Sequence, residues 1–122
     1  MEKTVMIIDD DRRNIFALSA VLTARGYEVE SYEHTEQALR NLQANTPPNV
    51  ILMDMMMPGI DGYEAIRIVK TDDRLKHTPV IAVTAQAMPG DRERCLEAGA
   101  DEYVSKPVDI DKLTDLLQRY VK

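Results

Sequence analysis

Short, uniformly apolar runs separated by amphipathic segments restrict this chain to few architectures. Val5 to Ile8, Val50 to Met53 and Val80 to Val83 are too short for ordinary helices and too apolar for a wetted surface. Each reads as a strand buried on both faces. A helix-period segment follows each run, and the unit recurs about every 20 to 30 residues, which predicts βαβ units on a parallel sheet. Five strands are expected, at Thr4 to Ile8, Tyr27 to Ser31, Val50 to Met53, Val80 to Val83 and Glu102 to Ser105. In the second, Tyr27 and Val29 alternate with Glu28 and Glu30, a pattern suited to a half-exposed edge.

The helices between them carry readable ends. Asp11 is a good N-cap for a first helix that turns Ile15, Leu18 and Leu22 to one face, and Gly26 supplies its left-handed stop. A second helix begins around Thr35 with Leu39 and Leu42 inward, and Pro47-Pro48 keeps it from running into the next strand. A third starts near Asp61 and Gly62 and buries Ile66 and Val69. The fourth is expected from about Pro89 to Ala98, closed by Gly99. The last starts at Asp109 or Asp111 and carries Ile110, Leu113, Leu116, Leu117, Tyr120 and Val121 at helical spacing.

Composition narrows function. The 122 residues suit one domain, residues 1–122, without linker, repeat or low-complexity tract. A net charge of −6, one Phe, no Trp and no basic run beyond Arg12-Arg13 argue against direct nucleic-acid binding. No apolar run approaches the roughly 20 residues that span a bilayer, and no signal-like segment is seen, so no membrane insertion is expected. The single Cys95 closes no internal disulfide, which suits a reducing cytoplasm.

Chemistry is sought beyond the carboxyl ends of the strands, where open parallel sheets bind ligands. Asp9, Asp10 and Asp11 follow the first strand, Asp54 the third, Thr84 the fourth, and Lys106-Pro107 the fifth. Alone, the acidic triplet is a solvated turn with Asp11 as a helix cap. With first and third strands adjacent, Asp9, Asp10 and Asp54 converge, and carboxylates that close repel unless a cation lies between them. Hard oxygen ligands of this kind suit Mg²⁺.

Four segments carry a resemblance. They are Ile7-Ile8-Asp9-Asp10-Asp11, Met53-Asp54-Met55-Met56-Met57-Pro58-Gly59-Ile60-Asp61-Gly62-Tyr63-Glu64, Val80-Ile81-Ala82-Val83-Thr84-Ala85, and Gly99-Ala100-Asp101-Glu102-Tyr103-Val104-Ser105-Lys106-Pro107. In order and spacing they resemble the bacterial two-component response-regulator receiver domain (CheY-like) over essentially the whole chain. The resemblance implies a flavodoxin-like, doubly wound (βα)5 sandwich with strand order 2-1-3-4-5. It implies that Asp54 accepts a phosphoryl group from a histidine kinase or a histidine phosphotransfer protein. Asp9, Asp10, Asp54 and the Met56 carbonyl would hold Mg²⁺, with Mn²⁺ as a substitute. Thr84, Ala85 and Lys106 would bind the phosphoryl group, Pro107 would follow a cis peptide, and Thr84 with Tyr103 would form the switch. A downstream protein would read the face made by the fourth helix, fifth strand and fifth helix. The resemblance implies a signalling domain that acts only on its own phosphoryl group.

The physical chemistry agrees. Phosphoryl transfer needs chiefly positioning and neutralisation of charge on the equatorial oxygens, and a carboxylate is a competent nucleophile for forming an acyl phosphate. Among the three methionines, Met57 is expected to pack inward and Met56 to border the site. The resemblance implies that positions 56 and 86, here Met56 and Gln86, affect how water reaches the acyl phosphate. His34 and His77 read as surface residues, and Cys95 as a structural thiol.

Other functions fit less well. A haloacid-dehalogenase-like phosphatase places a second aspartate two residues after its nucleophile, where this chain has Met56. A flavodoxin-like electron carrier cradles a phosphate in its first loop, and three aspartates would repel it. A receiver scaffold kept only as a binding module would lack Asp54, Lys106 or the acidic pair, and all are present.

Overall fold

The computed structural model describes residues 3–57, 61–85 and 89–121. Its elements alternate strictly: β1 (Thr4–Ile8), α1 (Arg12–Ala24), β2 (Glu28–Tyr32), α2 (Thr35–Ala44), β3 (Val50–Asp54), α3 (Gly62–Thr71), β4 (Val80–Thr84), α4 (Asp91–Ala98), β5 (Glu102–Ser105) and α5 (Ile110–Tyr120). The strands form one parallel sheet in the order β2-β1-β3-β4-β5. The expected doubly wound sandwich is therefore the fold.

Period-two alternation divides the core. Val5 and Ile7 of β1, Val50 and Leu52 of β3, and Ile81 and Val83 of β4 face Leu18 and Leu22 of α1 and Leu113 and Leu117 of α5. The intervening residues, Met6, Ile8, Ile51, Met53, Val80 and Ala82, pack against Leu39 and Leu42 of α2, Ile66 and Val69 of α3, and Cys95 of α4. Both faces of the central strands are thus covered. Each large apolar side chain removed from water contributes roughly 1.5–3 kcal/mol, so these two layers fix the scaffold that carries the strand ends.

Boundaries moved by one or two residues, each for a visible reason. Tyr27 was expected to open β2, but its N–H donates to Leu22 O at 3.1 Å in the closing turn of α1, and pairing begins with Glu28 N on Lys3 O. Gly26 has the left-handed φ of 94° expected of the stop. β3 and β4 each run one residue further than expected, taking Asp54 and Thr84 into the ladder opposite Val83 and Ser105. Pro89 was expected to begin α4. Gly90 instead takes φ 84°, outside the helical region, so the helix starts at Asp91. Asp11, Asp61 and Asp109 cap α1, α3 and α5, their carboxylates accepting from the N–H groups of Arg13, Tyr63 and Asp111.

Among the described residues, no helix is long and apolar enough to cross a membrane. His34 and His77 are exposed and Cys95 is buried, as expected. Met57 is buried and so is Met55, while Met56 is 48 % exposed. Pro58 to Ile60 and Gln86 lie outside the described residues.

Candidate functional site

The sheet order puts the ends of β1 and β3 side by side, and a buried carboxylate stands at each, Asp9 just after β1 and Asp54 closing β3: Asp9 is 2 % and Asp54 4 % exposed. Asp9 is fixed at the sheet end by its own N–H on Tyr32 O, 3.0 Å away. Its Oδ1 accepts from Asp11 N at 2.8 Å, and its Oδ2 from Asn14 Nδ2 at 2.5 Å. Asp54 Oδ1 accepts from Met56 N at 2.9 Å, a local turn that aims the carboxylate out of the strand.

Lys106 approaches from the other side. Its N–H donates to Thr84 O at 2.7 Å, extending the β4–β5 ladder past Ser105, and a cis bond joins it to Pro107. The side chain then reaches both carboxylates, with Nζ 3.3 Å from Asp9 Oδ2 and 3.4 Å from Asp54 Oδ2. Thr84 is buried at the end of β4, whereas Asp10 and Ala85 are exposed.

Charge balance at the site is uneven. Burial pushes the Asp54 carboxyl above the usual carboxylate range, and the Asp9 charge adds to that, against the lowering effects of the Met56 N–H and Lys106. Burial pulls Lys106 down, but the charges of Asp54 and Asp9 outweigh it and hold the ammonium above its ordinary value. One firmly protonated cation faces two carboxylates. Carboxylate oxygens of Asp9, Asp10 and Asp54 lie within 4.8 Å of one another, and these hard oxygen donors suit a divalent cation that keeps part of its water. The residues fit such an ion.

The structure brings together Asp9, Asp10, Asp54 and Lys106 and puts Thr84, Ala85 and Met56 at the same edge of the sheet. Tyr103 is apart from this cluster. Its hydroxyl donates to Asp91 Oδ2 of α4 at 3.0 Å. Sequence reasoning missed Asn14, whose placement in the first turn of α1 aims its amide back toward the strand end. It also missed Asp91 and Tyr63. Their hydrogen bond joins α3 to α4, at 2.6 Å from Tyr63 Oη to Asp91 Oδ1.

Comparison with known proteins gives a consistent result. Residues 5–118 match the family described as the response regulator receiver domain. The polar-differentiation response regulator DivK of Brucella anthropi is 38 % identical over 121 residues, covering 99 % of this chain and 98 % of the relative. A putative response regulator from Chloroflexus aurantiacus superposes with a TM-score of 0.92 at 32 % identity, covering 98 % of both chains. The receiver domain of the sensor histidine kinase PA1611 from Pseudomonas aeruginosa, which has a magnesium ion coordinated in its active site cleft, gives 0.88 at 34 % identity, again over 98 % of each.

Proposed function

The chain belongs to the response-regulator receiver-domain family of two-component signalling, and from that membership we propose that it accepts a phosphoryl group on Asp54. The donor is the phosphohistidine of a histidine kinase or a histidine phosphotransfer protein. The observation that carries this reading is the meeting of two buried carboxylates, Asp9 and Asp54, at one ammonium, Lys106 Nζ. On this reading the whole of residues 1–122 acts as one receiver domain, a signalling protein and not a conventional enzyme.

Asp54 supplies the nucleophile. A carboxylate oxygen forms a bond to phosphorus as the phosphorus–nitrogen bond of the donor breaks and the imidazole leaves. Lys106 neutralises charge on the transferred oxygens, and Thr84 with the Ala85 N–H provides hydrogen-bond donors to them. Asp9, Asp10 and Asp54, with the Met56 carbonyl, would hold Mg²⁺, or Mn²⁺ in its place, which when bound supplies further neutralisation of phosphoryl charge. The aspartyl phosphate adds close to two negative charges and three acceptors. Thr84 turns toward it, Tyr103 follows, and the surface of α4, β5 and α5 changes for a downstream protein. The buried free thiol of Cys95 supports a cytoplasmic setting.

The test is intact mass after incubation with acetyl phosphate and Mg²⁺. One phosphoryl group should be gained, lost again in hydroxylamine and located on the peptide bearing Asp54. No gain, or a gain that survives hydroxylamine, would exclude the proposal.

The water that hydrolyses the acyl phosphate must also pass this edge of the site. Met56 is exposed there, and a thioether does not orient an attacking water as an amide does. Met56→Asn is therefore expected to hasten loss of the phosphoryl group several-fold, followed by the decay of phosphoprotein mass after donor removal. Equal decay rates would show that this side chain does not govern hydrolysis.

A further inference from the structure

One carboxylate holds three elements of the fold together. Asp91, half-buried in the first turn of α4, accepts from Tyr63 of α3 on Oδ1 and from Tyr103 of β5 on Oδ2. Hydroxyl-to-carboxylate bonds are charge-assisted and among the stronger ones a protein makes. The helix N-terminus favours the negative charge at this position. The Arg94 guanidinium stands over the Tyr63 ring, 4.6 Å from its centre, a cation–π contact that helps to hold the ring. Hydrogen bonding to Asp91, then burial, pushes the Tyr63 hydroxyl up, and burial, then Asp91, pushes that of Tyr103 up to about 12. Both hydroxyls stay protonated and remain donors at neutral pH.

The position of this clasp gives it a consequence beyond bracing. A cleft of about 320 Å³ runs from Thr84 past Met56 to Asp91, with Tyr63 and Arg94 on its walls. The carboxylate that holds Tyr103 thus lines the same cleft as Thr84. For the Tyr103 ring to move toward Thr84, its hydroxyl must leave Asp91, or Asp91 must swing with it. Tyr63 opposes the swing.

We infer that Asp91 is a positioning residue for the switch: by binding Tyr63 and Tyr103 at once, it sets how much free energy an event at Thr84 must supply to move β5 and α4. This rests on the switch reading of Thr84 and Tyr103 given above. Asp91 is not among the residues assigned to the phosphoryl group or its ion.

The experiment measures the apparent affinity for beryllium fluoride, a phosphoryl mimic, in saturating Mg²⁺. Mg²⁺ affinity alone and the Tyr103 ring resonances are followed alongside. Releasing the clasp lowers the cost of switching, so Asp91→Ala should bind beryllium fluoride ~5- to 10-fold more tightly, the range of ordinary allosteric couplings, with Mg²⁺ affinity unchanged. Tyr63→Phe, which loses one hydroxyl and keeps the ring, should shift the same way by a smaller factor; it decides the matter if Asp91→Ala fails to fold. Unchanged or weakened beryllium fluoride binding in these variants, with the Tyr103 resonances of the wild type still moving on binding, overturns the clasp alone. If those wild-type resonances do not move, the switch reading falls and the clasp with it. A brace without coupling would lower the melting temperature and leave the affinity where it was, which also overturns the inference.

Discussion

Lys106→Met is expected to slow phosphoryl uptake from acetyl phosphate by about 100-fold or more, the usual cost of removing one fixed electrostatic group from a reacting centre, while tightening Mg²⁺ binding. The opposite signs follow from one geometry. Lys106 Nζ lies 3.3 Å from Asp9 and 3.4 Å from Asp54, so on the proposed reading it would stabilise negative charge on a transferred group and also oppose a second cation among the same oxygens. Methionine retains most of the aliphatic stem, so the change isolates the charge. Without a divalent ion, two nearly inaccessible carboxylates then lose their only charged partner among the described residues. Removing one member of a fully buried pair costs ~3–5 kcal/mol. The Lys106 side chain is 22 % exposed, and either carboxyl can take up a proton, so a loss of ~1–3 kcal/mol is expected in its place. Saturating Mg²⁺ should recover most of it by binding only the folded state. Urea denaturation with and without Mg²⁺, beside calorimetric Mg²⁺ titration, reads both effects. Weaker Mg²⁺ binding in the variant would mean that the ammonium organises the ion's ligands and does not compete with it.

The strand ends were legible because they obey one-dimensional rules. Alternation sends Val5 and Ile7 to one face of β1 and Met6 and Ile8 to the other, and once parallel strands are assigned, the residue after each apolar run must lie at the same edge of the sheet. That reasoning reaches Asp9, Asp54, Thr84 and Lys106 with no side-chain detail. It does not reach Asn14, whose role depends on how the first turn of α1 is rotated about its axis relative to Asp9. Nor does it reach the Tyr63–Asp91–Tyr103 clasp, whose bonds span 28 and 12 residues of sequence. Tyr103 was read from the resemblance as a switch, and nothing in its sequence neighbourhood names the carboxylate that holds it. The late start of α4 has a different origin. Pro89 is well suited to a first helical turn, but the positive φ of Gly90 decides the boundary, and a glycine before an acidic residue is compatible with either start.

Asp54→Asn carries the other large effect: uptake of the phosphoryl group should vanish, and the metal-free protein should become more stable at neutral pH. An amide offers no anionic oxygen to form the acyl phosphate, so the intact mass should stay unchanged in acetyl phosphate and Mg²⁺. The gain in stability comes from the displaced ionisation of Asp54. Its folded-state pKa lies above the unfolded value, chiefly through burial and then through the charge of Asp9. Below the ordinary carboxylate range, near pH 4, Asp54 is protonated in both states and the substitution changes little. As pH rises through the window between the unfolded and folded values, the folded state holds the extra proton, so wild-type stability declines. Above that window the carboxylate is charged in both states, and the folded one retains the full cost of keeping it beside Asp9. Asparagine removes that cost, and its amide oxygen can still accept from Met56 N, the bond that Asp54 Oδ1 makes. A gain of ~1–3 kcal/mol at pH 7 is the scale for relieving one poorly compensated buried group. In chelator, the difference in unfolding free energy should therefore open from near zero at pH 4 to its full value by neutrality. Saturating Mg²⁺ should shrink or reverse it, because the ion binds the wild-type carboxylate more strongly than an amide. A stability difference of constant size across that pH range would show that Asp54 does not titrate differently in the folded and unfolded chains, and that its burial is fully compensated by Lys106.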